Sequence, residues 1–437
     1  MQPNRLTLTE ARAAIAEGSI TSEDLVRACL ARIAEREPAV RAFAAVNAEG
    51  ALAAARNADK ALLLSDGPLG PLHGIPVGIK DVIDTADLPT EHNSIIYKGF
   101  RPGQDAACVA TLRAAGAIVL GKTETIEFAA HGRNAVTRNP RDLSRTPGGS
   151  SSGSAAAVAD QMIPVALGTQ TGGSLIRPAS FCGIFGMKPT FGTVSTEGAK
   201  RFSSSLDTIG WYTRSLEDLA LITEVFEVSD ASLPPPPPLH SVKLAWCRTP
   251  YWDRATAGMQ ATFEAAVAAL RSAGATLTEL DLGEAFADVN DLKERIMRAE
   301  GRVAFLNLQR TVPHLLSPGI RARMERTQDR LLLSALDRAA LLRTEFDRVA
   351  APFDAVITPA ATGIAPEGLS FAGDPIFNGM WTLLHVPCIT LPLLEESGLP
   401  VGLQLVGPRY NDGKILAAAA TVWGILNSPD LDSLIRR

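Results

Sequence analysis

Two clusters of glycine and serine stand close together in this chain: Gly148-Gly149-Ser150-Ser151-Ser152-Gly153-Ser154 and Gly172-Gly173-Ser174. Glycine removes the Cβ, so backbone N–H groups can turn inward, and successive inward N–H groups make a concavity that stabilises an oxyanion. A serine at the end of such a run is placed to attack a carbonyl. Each cluster alone has the blander meaning of a flexible surface loop. As a pair flanking a compact apolar segment, they point to chemistry. Lys80 is the second anomaly, because it sits in Ile75-Pro76-Val77-Gly78-Ile79-Lys80-Asp81-Val82-Ile83, among residues that belong in an interior. Burial lowers the pKa of a lysine, and a neutral amine is a competent general base near neutral pH, whereas a solvated ammonium is not. The alternative is a lysine that snorkels to the surface or pairs with Asp81 or Asp84.

The surrounding pattern supplies elements to hold these groups. Two helices open the chain, the second capped by Thr21 with Asp24 three residues on, and Leu25, Val26, Cys29, Leu30 and Ile33 share one face. Alternating apolar residues from Leu72 to Asp84 predict a strand and an extension that carry Lys80. A helix around Ala106–Ala115 and a strand at Ala117-Ile118-Val119-Leu120 continue a strand–helix–strand rhythm, which implies a mostly parallel, helix-covered sheet. Residues 134–153 have the composition of a long loop. A small-residue helix at Ser154–Ala159 and a short apolar strand at Ile163–Leu167 then lead into Gly168-Thr169-Gln170-Thr171-Gly172-Gly173-Ser174. After the stiff stretch Pro234–Pro238, further elements follow: a strand at Val242–Trp246, a helix around Met259–Ala273, more helices to about Val349, and a strand at Asp354–Thr358.

Together these segments resemble the amidase-signature family over most of the chain, with a signature region of roughly Pro147 to Pro189. The resemblance rests on Gly74-Ile75-Pro76-Val77-Gly78-Ile79-Lys80-Asp81, Pro147-Gly148-Gly149-Ser150-Ser151, Gly168-Thr169-Gln170-Thr171-Gly172-Gly173-Ser174, and Phe181-Cys182-Gly183 with Gly186-Met187-Lys188-Pro189. It implies an α/β fold whose mixed β-sheet core is covered by helices on both faces, as one domain over residues 1–437. Within it lie N-terminal helices at about 5–65, a signature core at about 70–230 and a second α/β portion at about 240–437. It also implies Ser174 as acylated nucleophile, Ser150 as a bridging serine after a cis peptide bond, and Lys80 as base. The N–H groups of Thr171, Gly172, Gly173 and Ser174 are then the oxyanion hole. No histidine is needed by such a Ser-Lys variant, so His73, His92, His131, His240, His314 and His385 become spectators, with His385 expected near the pocket.

This sequence departs from the common pattern at Ser152-Gly153, where many members have Gly-Gly, and at Gln170, where many have Asp. Its arginine comes three places after the nucleophile, in Ser174-Leu175-Ile176-Arg177-Pro178, an arrangement similar to the malonamidase branch. There the matching arginine holds a substrate carboxylate, which a guanidinium clamps through two parallel charge-assisted hydrogen bonds. The resemblance therefore implies Arg177 as a substrate-binding residue and a small malonamate-like amide as substrate. The competing role for Arg177 is a salt bridge supporting the loop. Pocket walls are expected from the less recognisable segments between about Gly283 and Gly379.

Composition excludes several other classes. With 42 basic and 47 acidic residues interspersed, a net charge of -5 and no basic block, the chain offers no track for a nucleic-acid backbone. Five isolated cysteines without a C-x-x-C pair suggest neither disulfides nor a metal site, and no cofactor is implied. The absence of a signal-peptide pattern or a transmembrane-length apolar run leads to an expectation of a cytoplasmic protein without a membrane partner. Gly149-Ser150-Ser151-Ser152-Gly153 also matches G-x-S-x-G, but that motif needs a buried strand before it, and Asn139–Pro147 reads as a loop. A P-loop fails because Ser154 stands where lysine is required. Nearer alternatives are the glutamine-hydrolysing subunit of a tRNA-dependent amidotransferase and a non-catalytic small-molecule binding protein on the same fold. A homodimer is common in the family.

Overall fold

The structure, a computed structural model, describes residues 2–65, 69–229, 233–324, 330–395 and 397–428. Met1 and residues 429–437, the ends of the expected domain, lie outside the described residues. The second helix runs Ser22–Val40 and is closed at its start as its sequence predicts. The Thr21 hydroxyl accepts from the Asp24 N–H at 3.0 Å, and the Asp24 carboxylate accepts from the Thr21 N–H at 2.9 Å.

Among the described residues eleven strands form one sheet. In chain order they are β1 (Phe43–Val46), β2 (Pro76–Lys80), β3 (Ile118–Thr123), β4 (Val165–Gln170), β5 (Phe185–Lys188), β6 (Thr208–Thr213), β7 (Lys243–Trp246), β8 (Thr276–Glu279), β9 (Ala355–Pro359), β10 (Cys388–Leu394) and β11 (Pro400–Val406). Their spatial order is β1-β3-β2-β4-β6-β5-β10-β11-β9-β7-β8. The sheet is mixed, and thirteen α-helices accompany it among the described residues, an α/β architecture.

The strand–helix–strand rhythm predicts a mostly parallel sheet, and here the structure differs. Parallel pairing is confined to β3-β2-β4 and to β8-β7-β9. The strands between β4 and β9, and the edge pair β1-β3, are antiparallel. The helical crossovers from β4 to β5 and from β9 to β10 each skip one place in the sheet, and an antiparallel strand, β6 or β11, fills it. The N-terminal segment is not purely helical either, since β1 caps the sheet edge against β3. The residues on the two sides of Pro234–Pro238 share the sheet through the β5-β10 pair, Cys388 opposite Lys188. Pro237 is docked by its carbonyl, which accepts from Thr421 Oγ1 at 2.7 Å.

Strand β2 is buried along its whole length, as a central strand covered on both faces must be. One cover is the small-residue helix Ser152–Ala159, which begins two residues earlier than the sequence suggests. A Cβ on Gly153 would stand 2.1 Å from the Ala42 carbonyl oxygen and 2.4 Å from the Glu124 nitrogen, so only glycine lets this helix approach so closely. That approach brings the first glycine-serine cluster over the ends of β2 and β4.

Candidate active site

Lys80 ends β2 and is fully buried. Its Nζ lies 2.7 Å from Ser150 Oγ and 2.6 Å from Thr169 Oγ1. Among the described residues no carboxylate forms an ion pair with it. Asp81 turns the other way and pairs with Lys122 at 3.1 Å, so Lys80 neither snorkels to the surface nor pairs with Asp81 or Asp84. Burial holds the Lys80 amine well below the ordinary lysine range, opposed only by the nearby charge of Asp207.

Ser150 follows a cis Gly149–Ser150 peptide bond. The turn before it uses Gly148 at φ 84°, a left-handed conformation that favours glycine. Ser151, the residue a G-x-S-x-G reading would make nucleophile, is fully buried. Its hydroxyl accepts from the Thr169 N–H at 3.1 Å and donates to the Thr169 carbonyl at 3.2 Å. It staples the cluster to β4.

Beyond β4, the N–H groups of Thr171, Gly172, Gly173 and Ser174 have no acceptor among the described residues. The next two N–H groups, of Leu175 and Ile176, both donate to Gln170 Oε1 at 3.0 Å. Gln170 Nε2 in turn donates to Thr382 Oγ1, which donates to the Gly172 carbonyl at 2.9 Å. A glutamine suits this position because one end must accept two N–H groups while the other donates, which a carboxylate cannot do. Asp207 fixes the other side: it accepts from the Thr171 hydroxyl, and from the Phe202 and Ser203 N–H groups at 2.7 and 3.0 Å.

A cavity of about 330 Å³ opens over these groups, lined by Ser150, Thr171, Gly172, Gly173, Ser174 and Arg177 among others. Ser174 is partly exposed to it, and its hydroxyl has no hydrogen bond among the described residues. Arg177 is buried, with Nη2 donating to the Gly149 carbonyl at 2.6 Å and Nε to the Ala372 carbonyl at 2.8 Å. Among the described residues its Nη1 has no partner, and neither does the buried Oδ1 of Asn378. Both point to the same place, since a Cβ on Gly173 would meet Asn378 Oδ1 at 2.4 Å and Arg177 Nη1 at 3.0 Å. Burial pushes the guanidinium down to about 10, with the Asp374 charge opposing.

The structure thus brings every site residue named from sequence to one cavity wall or directly beneath it. His385 is a correction: instead of approaching the cavity it stacks on Phe191 at 4.1 Å and meets the Ser205 carbonyl at 2.7 Å. The histidine in the wall is His131. Lys293, Glu294, Met297 and Arg323 also line the cavity, within the interval expected to supply its walls. No motif marks them, because on helices Lys293, Glu294 and Arg323 look like ordinary surface charges and Met297 like an ordinary core residue. Asp207 and Thr169 are functional neighbours that the sequence reading passes over, although Thr169 carries a signal as a polar residue of the strand that ends in the motif. Among the described residues no cluster of metal-ligating side chains is present, and no helix is long and apolar enough to cross a membrane.

A mixed α/β sheet with a buried lysine against a serine, beneath a glycine-rich loop of free N–H groups, defines the class of fold and site. The family model described as Amidase matches residues 24–416. The chain is 37% identical to a glutamyl-tRNA(Gln) amidotransferase subunit of Chloroflexus aggregans, over 94% of each chain. Among solved structures it is similar to a crystallised amidase, with TM-score 0.86 and 29% identity over 96% of this chain and 99% of that one. It is also similar to the corresponding glutamyl-tRNA(Gln) amidotransferase subunit of Thermotoga maritima, with TM-score 0.82 and 29% identity over 98% and 96%. This chain belongs to the amidase-signature family of amide-hydrolysing enzymes.

Proposed function

We propose that this protein hydrolyses the C–N bond of a small carboxamide bearing an acidic group, malonamate-like in kind, through an acyl-enzyme on Ser174. Neutral Lys80 accepts the Ser150 hydroxyl proton while Ser150 accepts that of Ser174. The Ser174 oxygen then bonds to the amide carbon, and the carbonyl electron pair moves to an oxyanion held by the free N–H groups of residues 171–174. As the oxyanion collapses, the C–N bond breaks and the proton returns through Ser150 to the departing ammonia. Water hydrolyses the ester by the same relay. The two serine hydroxyls must come within hydrogen-bond reach when substrate docks. The observation that carries the reading is the buried Lys80 amine at 2.7 Å from Ser150 Oγ, with no carboxylate in an ion pair with it among the described residues and burial outweighing the charge of Asp207. For the acidic group, the support is the unpartnered Nη1 of a buried Arg177 at the cavity wall.

The named relatives favour a second reading, a glutamine-hydrolysing subunit of an amidotransferase complex. Against it stands the cavity charge. The α-ammonium of glutamine needs an anionic partner, and the one carboxylate in the described wall, Glu294, is already engaged by Arg298 and Arg323, each at 2.8 Å. Ammonia release from malonamate, neutral aliphatic amides, aromatic amides and glutamine tests both, run beside Ser174→Ala and Arg177→Met. Malonamate preference that is lost with either substitution supports the proposal. Preference for neutral amides removes the role of Arg177, and efficient glutamine hydrolysis favours the second reading. Failure of a fluorophosphonate to label Ser174 leaves a non-catalytic binding protein.

A further inference from the structure

The cavity wall carries more positive charge than one carboxylate requires. Helix Val289–Thr311 presents Lys293, Glu294 and Met297 to it, and Arg323 and Arg177 join from elsewhere. Among the described residues three cations thus face one carboxylate; Asp374, which attracts Arg177, is itself paired with Arg254 at 2.8 Å. Lys293 is the least satisfied of the three. Its side chain is 7% exposed, and its one polar contact among the described residues is Glu294 Oε2 at 3.5 Å. The other oxygen, Oε1, is shared by Arg298 and Arg323, each at 2.8 Å. Lys293 is packed against Gly379, where a Cβ would come 2.8 Å from its Cε and 3.4 Å from its Nζ. Burial pulls this amine below the ordinary lysine range, with Glu294 opposing and Arg323 and Arg177 adding to the pull. A buried ammonium with one long contact gains most from an anion delivered by a ligand.

We infer that Lys293 forms a second anion-binding position in this cavity, so that the preferred substrate is a carboxamide carrying two acidic groups, one met by Arg177 and the other by Lys293. This rests on the amidase reading for its chemistry, although the binding position can be measured without turnover. Hydrolysis of such an amide yields a tricarboxylate, and the product-shaped probe is tricarballylate, with succinate as the probe having one acidic group fewer.

Isothermal titration of both probes into Ser174→Ala protein reads binding alone. The expected result is tricarballylate bound at least tenfold more tightly than succinate, with Lys293→Met abolishing most of that ratio while changing succinate affinity less than threefold. Lys293→Gln, which keeps a polar group in the same space, is the second variant should methionine impair folding, and the same loss is expected. Equal affinity for the two probes in the Ser174→Ala protein overturns the inference without any reference to Lys293 variants. So does an equal loss for both probes on substitution. If instead the binding ratio appears but no carboxamide is hydrolysed by the wild-type protein, the second anion position stands and the amidase mechanism fails.

Discussion

Replacing Lys80 by methionine removes the amine while keeping a side chain of nearly equal length in a fully buried site. At pH 7.5 a lysine titrating at the ordinary 10.5 is neutral in about one molecule in a thousand. Each unit of lowering raises that fraction about tenfold, at about 1.4 kcal/mol of differential stabilisation. Since burial lowers this amine well below 10.5, the acidic limb of kcat/KM, which reports the free enzyme, is expected with a midpoint far below the ordinary lysine value. General-base catalysis contributes about 10² to 10⁴-fold, so Lys80→Met is expected to lose at least that factor in kcat and to lose the limb. Stability supplies an independent sign. The folded-state pKa lies below the unfolded one, so the unfolded chain binds the extra proton between them, and wild-type stability rises with pH through that window up to about 10.5. Below the folded pKa both states are protonated and the effect is flat. The methionine variant lacks this rise. Initial rates of ammonia release between about pH 5 and 10, with urea denaturation at both ends, measure the two effects. An acidic limb centred near 10.5, or a Lys80→Met enzyme within tenfold of wild type, refutes the reasoning.

Two further substitutions probe the frame that holds the site. Asp81→Asn leaves Lys122, fully buried and 3.1 Å from the carboxylate, without its counter-charge; removing one partner of such a pair costs about 3–5 kcal/mol. Urea denaturation near neutral pH is expected to show that loss, and a change under about 1 kcal/mol counts against a charged pair. Gly148→Ala forces a side chain onto φ 84° and places its Cβ 3.0 Å from Pro178 Cα and 3.1 Å from Phe181 Cδ2. A stability loss of about 2 kcal/mol is expected, together with lower kcat because Gly148 sets the turn into Ser150; thermal unfolding beside rate measurements checks both.

The chemistry of this site is legible in the sequence wherever it is local. Lys80 at the end of an apolar run, the two glycine-serine clusters and the short strand joining them lie within contiguous stretches, and burial of β2 follows from its composition. The capping of Ser22–Val40 is equally local. Other features depend on which distant segments meet. The antiparallel centre of the sheet is decided by pairings such as Cys388 with Lys188, for which neither strand carries a signal. Gln170 looks like a loss of charge until Leu175, Ile176 and Thr382 gather around it. Lys293 is the clearest case: along the helix it is one charge among many, and it becomes a buried cation in a cavity wall only because Gly379 lets another helix close over it. Periodicity and motif report a residue's neighbours in the chain, whereas desolvation, which sets the pKa of Lys80 and the ligand preference of Lys293, is set by neighbours in space.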